Sequence, residues 1–117
     1  MKRLLAVCAA CILGVACTPD ISEAEASNLA RDAAPLFQRQ ASASSLPRTS
    51  WPAAVVALNP QAVYLRAEGL YITTSSFFTE ERGVFVLNPT ASFTPTHGSD
   101  PSYEPVSHGV FIYRLAG

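Results

Sequence analysis

Gly69-Leu70-Tyr71-Ile72, Gly83-Val84-Phe85-Val86 and Gly109-Val110-Phe111-Ile112 repeat one phrase: glycine, aliphatic, aromatic, aliphatic. That is the composition of a short strand entered from a turn. Successive strand side chains point to opposite faces. Leu70, Ile72, Val84, Val86, Val110 and Ile112 therefore share one face, and Tyr71, Phe85 and Phe111 share the other. The phrase predicts a small antiparallel three-stranded β-meander, apolar on both sides.

Outward from Gly69, Val63, Leu65 and Ala67 alternate with Tyr64, Arg66 and Glu68, so the inward parity is odd before the glycine and even after it. A one-residue insertion does this, which predicts a β-bulge at Glu68-Gly69 within one long strand. Thr79-Glu80-Glu81-Arg82-Gly83 reads as a charged turn closing a hairpin. From Asn88 to His108 the chain holds Pro89, Pro95, Pro101 and Pro105, and reads as a proline-rich loop. Loops of that length are functional or disordered more often than not. The strand from Gly109 to Leu115 ends the pattern.

Upstream, Ser22-Glu23-Ala24-Glu25 is a capping box, and its two acids suit the positive end of a helix. Ile21, Ala24, Leu29, Ala33, Leu36 and Phe37 fall on one stripe of that helix. Pro35 removes an interior amide, which predicts a kink, or an end with one further turn to Gln40. Ala41 to Ser50 is a serine-rich connector. Trp51 to Leu58 reads as a short second helix capped by Ser50, with Pro52 in its first turn, and its tryptophan plugs one end of the core. The expected domain, residues 22–117, is α+β: a kinked amphipathic helix and a short helix packed on the meander.

The first residues follow a different logic. Met1-Lys2-Arg3 is basic, and Leu4 to Ala16 is an unbroken apolar or small run. As a helix its thirteen residues would span about 20 Å, short of the roughly 30 Å hydrocarbon core of a bilayer. Residues 1–16 read as a signal peptide. Cys8, Cys11 and Cys17 are the only cysteines, so none follows the processing point and no intrachain disulfide is expected beyond it.

Gly14-Val15-Ala16-Cys17 resembles the lipobox of bacterial lipoproteins, with Leu13 one place further from the cysteine than the family's usual leucine. The resemblance covers residues 1–17. It implies acylation of Cys17, a lipidated tether over 17–21, and, with Thr18 rather than aspartate after the cysteine, an outer-membrane address on the periplasmic face. Several acyl chains hold stably where one is marginal. Cleavage at the same place by the ordinary signal peptidase leaves a soluble periplasmic or secreted protein instead.

Without Lys2 and Arg3 the eight basic residues become six, all arginine, against nine carboxylates, a formal charge of −3. A basic footprint for nucleic acid is absent, and no nucleic-acid partner is expected. His97, His108, Asp100 and Glu104 fall in the proline-rich stretch and read as solvated loop residues rather than metal ligands. Glu80 and Glu81 sit in the charged turn, no Gly-x-Ser-x-Gly elbow exists, and the glycines form no phosphate loop. The expectation is a non-catalytic binding or accessory protein of the envelope, without metal or cofactor. Its partners would be the membrane, through the anchor, and an envelope protein. An inhibitor or immunity role is the first alternative, and a metal-dependent hydrolase accessory using the two histidines the second. The surface to which binding is assigned is the aromatic side: Tyr71, Phe85, Phe111 and Tyr113.

Overall fold

A computed structural model describes residues 21–39 and 44–116. The expected signal peptide, Cys17 and the expected tether up to Asp20, the segment from Gln40 to Ala43, and Gly117 lie outside the described residues.

Helix α1 (Glu23–Arg39) begins on the capping box expected of it. The Ser22 amide donates to Glu25 Oε1 at 2.9 Å, and the Glu25 amide donates to Ser22 Oγ at 3.1 Å. The helix runs through Pro35 to Arg39 instead of ending there. Pro35 is exposed, so the carbonyl it leaves without an amide can turn to water. Ala26, Leu29, Ala33 and Leu36 form the buried stripe.

Among the described residues the expected three-stranded meander is replaced by a mostly β architecture of six strands with this one long helix. Six antiparallel strands make one sheet: β1 (Ser44–Ser45), β2 (Ala62–Arg66), β3 (Gly69–Phe77), β4 (Glu80–Leu87), β5 (Ser102–Ser107) and β6 (Val110–Leu115), in the order β1-β2-β3-β4-β6-β5. Three strands escaped the pattern, each for its own reason. At Glu68-Gly69 there is no bulge: Arg66 pairs with Gly69 across a two-residue turn, so β2 folds back on β3. A tight turn inverts parity just as a bulge does, because Leu65 then opposes Leu70 and Val63 opposes Ile72 on one face. The bulge lies further on, between Thr73 and Ser75.

Within the proline-rich stretch, β5 pairs with β6 in spite of Pro105, which an outermost strand tolerates because its lost amide need not join a ladder. A second irregularity follows between Pro105 and Ser107. The opposite margin, β1, is only two residues long and was hidden in the serine connector. Nor do the repeated glycines share one role. Gly69 opens β3, Gly83 lies inside β4, and Gly109 follows His108 in the two-residue β5–β6 turn, both with positive φ.

Two layers cover the sheet. On one side α1, Leu46, Trp51 and Val55 pack against Val63, Leu65, Leu70, Ile72, Val84, Val86 and Val110. Each such side chain, fully withdrawn from water, contributes about 1.5–3 kcal/mol. Helix α2 (Ala53–Val56) is short and starts after Pro52, not Ser50. Its free Ala54 amide donates to Asp32 Oδ2 of α1 at 3.1 Å, and Trp51 Nε1 donates to the Leu46 carbonyl at 2.9 Å. The tryptophan thus closes the helical side of the core. On the other side Tyr71, Phe85, Tyr103 and Tyr113 form a second buried cluster, joined by Tyr64, Leu87, Phe93 and Phe111.

Gly83 shows how closely the sheet is fitted. It stands in register between Thr73 and Tyr113, whose hydroxyls meet at 2.8 Å, and an added Cβ would collide with the backbone of Ile72 and Thr73. Gly83→Ala is expected to lower unfolding stability by about 1–3 kcal/mol, the range for overpacked interiors, read as an earlier midpoint in urea. Gly98→Ala, where added bulk meets open space but φ is +95°, separates backbone strain from collision: its loss should be the smaller.

Candidate functional site

The aromatic face is the most organised part of the molecule. Tyr64, Tyr71, Phe85 and Phe111 are successive cross-strand neighbours on β2, β3, β4 and β6. Tyr64 stacks on Tyr71 with centroids 4.9 Å apart and planes 12° apart, and Tyr113 meets Tyr71 edge-on at 5.0 Å. Tyr103 of β5 meets Phe85 at 5.0 Å, and Phe93, from the segment between β4 and β5, packs edge-on against both. That segment is held over the rings by main-chain bonds from Asn88 to the Glu68 carbonyl and from Tyr103 to the Thr96 carbonyl, each 2.9 Å.

A face built from tyrosines carries hydroxyls into the interior, and each buried hydroxyl needs a partner. Two glutamates supply them. Tyr64 and Tyr113 donate to Glu81 Oε1 at 2.8 and 2.9 Å, and Thr73 does so at 3.4 Å. Tyr71 donates to Glu68 Oε2 at 2.8 Å while its oxygen lies 2.7 Å from the Tyr103 hydroxyl. All four tyrosines of the chain are bound into this network. Burial, reinforced by the Glu81 hydrogen bond, pushes the Tyr64 hydroxyl up to about 12. Tyr71, Tyr103 and Tyr113 are raised as well, burial again being the largest cause. Such hydroxyls stay protonated at neutral pH and hold the carboxylates in place.

The residues assigned to a binding surface thus sit inside. Phe85, Tyr113 and Tyr71 are 0%, 1% and 4% exposed, and only Phe111 is partly open. The proline-rich stretch covers this face, through Phe93 and Tyr103. The residues of the metal-binding alternative are dispersed. His108 occupies the β5–β6 turn with φ at 56°, beside Phe37 and Pro89, whereas His97 lines a shallow cleft of about 270 Å³ with Arg82, Glu104 and Arg114. Asp100 accepts the Ala116 amide at 2.8 Å. Among the described residues no three histidines, cysteines or carboxylates come together to hold a metal, and none of the helices is long and apolar enough to cross a membrane.

Sequence reasoning missed Glu81, because it was placed in a turn. It is a strand residue paired with Leu115 and Ser76 and turned toward the aromatic side. The turn is only Phe78-Thr79, and it carries the principal exposed apolar surface: Phe77 is 68% and Phe78 91% exposed, with rings 4.4 Å apart. Of the positive-φ residues Phe78, at 57°, is the only one in this turn, the pattern of a type II′ hairpin that favours glycine there. At the foot of the turn Glu80 is clasped by Arg114 at 2.9 Å and Arg82 at 3.6 Å. The Arg114 hydrogen bond, aided by the charge of Arg82, holds its carboxyl below the usual range.

In comparison with known proteins, no family model, curated sequence or solved structure matches the chain.

The network makes a pH prediction. Hydroxyls whose folded pKa lies above the ordinary value of 10.0 favour the folded state below that pH, and the advantage is lost as pH rises through the folded value. The tyrosine contribution should therefore be level from neutral pH to 10 and fall between 10 and about 12, with tyrosinate absorbance rising in step. Glu81→Ala removes the acceptor of the Tyr64 hydroxyl and leaves Tyr113 only its contact with Thr73, and is expected to cost about 1–3 kcal/mol at neutral pH, read from urea denaturation.

Proposed function

We propose that the chain is a small lipoprotein of the bacterial envelope, tethered at Cys17, that acts by binding rather than by catalysis. The observation that carries this reading is the order of the first residues: basic Lys2-Arg3, the apolar run to Ala16, then Gly14-Val15-Ala16-Cys17, with no cysteine after it. The arrangement of the folded part supports the binding half. Its hydroxyl and carboxylate cluster is committed to internal hydrogen bonds, while large apolar side chains reach solvent at Phe77 and Phe78. Thr18 after the cysteine favours the outer membrane, with the domain facing the periplasm.

The test is mass spectrometry of the processed N-terminus after expression in a bacterial host. The expected product begins at Cys17 and carries acyl mass, and the protein fractionates with membranes. Cys17→Ser should abolish both. A wild-type chain recovered from the soluble fraction with an unmodified N-terminus would refute the anchor.

A further inference from the structure

We infer that the β3–β4 tip is a second, reversible membrane contact, in which Phe77 and Phe78 seat in the interfacial layer of the bilayer that carries the Cys17 anchor. The inference rests on the lipoprotein reading for its target and on the geometry of the tip for its contact.

The tip is a two-residue turn, Phe78-Thr79, preceded by Phe77, and both rings lie outside the two hydrophobic clusters of the fold. Phe78 holds a left-handed φ at a place where glycine fits without strain. Strain of this kind is characteristic of sites with a job beyond folding. Aromatic rings are favoured at the boundary between hydrocarbon and headgroups. The surrounding chain suits that layer: Ser75, Ser76 and Thr79 supply hydroxyls. The only carboxylate at the mouth of the turn, Glu80, is neutralised by two arginines. Glu81, next in sequence, is turned inward onto Tyr64 and Tyr113. At the tip itself, among the described residues, both carboxylates are thus engaged within the fold.

The chain before the fold fixes the distance. From Cys17 to Ile21 is five residues, about 17 Å at full extension, so an anchored domain stays beside the bilayer. Under that tether a contact that gives a free chain only modest partition becomes highly populated, because the second encounter is intramolecular. A weak contact then sets the orientation of the domain, while the acyl chains supply the attachment.

The test uses the chain from position 17, which retains every described residue, carrying Cys17→Ser so that no acyl group contributes. Its partition into phosphatidylethanolamine and phosphatidylglycerol vesicles is measured by co-sedimentation, beside a variant with Phe77→Ser and Phe78→Gly. Glycine suits the turn, so the hairpin is retained, and far-UV circular dichroism confirms it. Partition should fall at least about tenfold in the variant. In a Phe78→Trp chain, brominated lipids should quench the new fluorescence beyond that of Trp51. Equal partition of the two tips, or a Phe78→Trp signal indifferent to brominated lipid, overturns the inference. Since neither chain is acylated, these outcomes are read separately from the mass of the wild-type N-terminus. Loss of partition without acyl mass would keep the contact and remove the anchor, and acyl mass with equal partition would do the reverse.

Discussion

A sheet that is apolar on both faces has to be covered twice, and one helix covers once. Most of the remaining architecture follows from that constraint. Helix α1, with Leu46, Trp51 and Val55, shields the aliphatic side, where branched chains pack without needing partners. The other side is closed by an irregular segment, and an irregular segment brings few apolar residues. It contributes Phe93 and, as it enters β5, Tyr103. Large rings make up the deficit in area, since each buries more surface than an aliphatic chain. Their hydroxyls then require acceptors, and this is why glutamates stand at the margins of an apolar cluster.

Glu81 and Glu68 solve the same problem differently. Glu81 gathers hydroxyls from β2, β3 and β6 onto one oxygen, so a single carboxylate ties three strands together beneath their ladder bonds. Glu68 sits in the β2–β3 turn and takes only Tyr71, whose oxygen passes the chain of contacts on to Tyr103 at the far side of the sheet. Charge-assisted hydrogen bonds of this type are among the stronger ones available. Their placement couples the ordering of the β4–β5 segment to the integrity of the strands under it.

The sequence made the division of the sheet into an aliphatic and an aromatic face legible, because period-two alternation in Gly69-Leu70-Tyr71-Ile72 and its two companions is unambiguous. The capping box at Ser22 was legible too, since it is local chemistry. What was hidden was the number of strands. A parity change at Glu68-Gly69 has two structural causes with one signature, and only the pairing of Arg66 with Gly69 distinguishes them. Pro105 argued against a strand that lies at a margin, where the argument loses its force. The charged run Glu80-Glu81-Arg82 resembled a turn because charge usually marks solvent, yet Glu81 is drawn inward by hydroxyls distant in sequence. Nothing local announces such a partner. The same misplacement concealed the true turn at Phe78-Thr79, and with it the exposed rings.

The two outermost strands carry a further consequence. Among the described residues one margin of the sheet offers Ser44 and Ser45, and the other is interrupted by Pro105 and the irregularity after it. Open ladders invite a neighbouring chain to add itself as the next strand, and natural sheets suppress this with brevity, proline and local distortion. With both margins blunted, neither edge presents a long regular ladder for a second copy to extend.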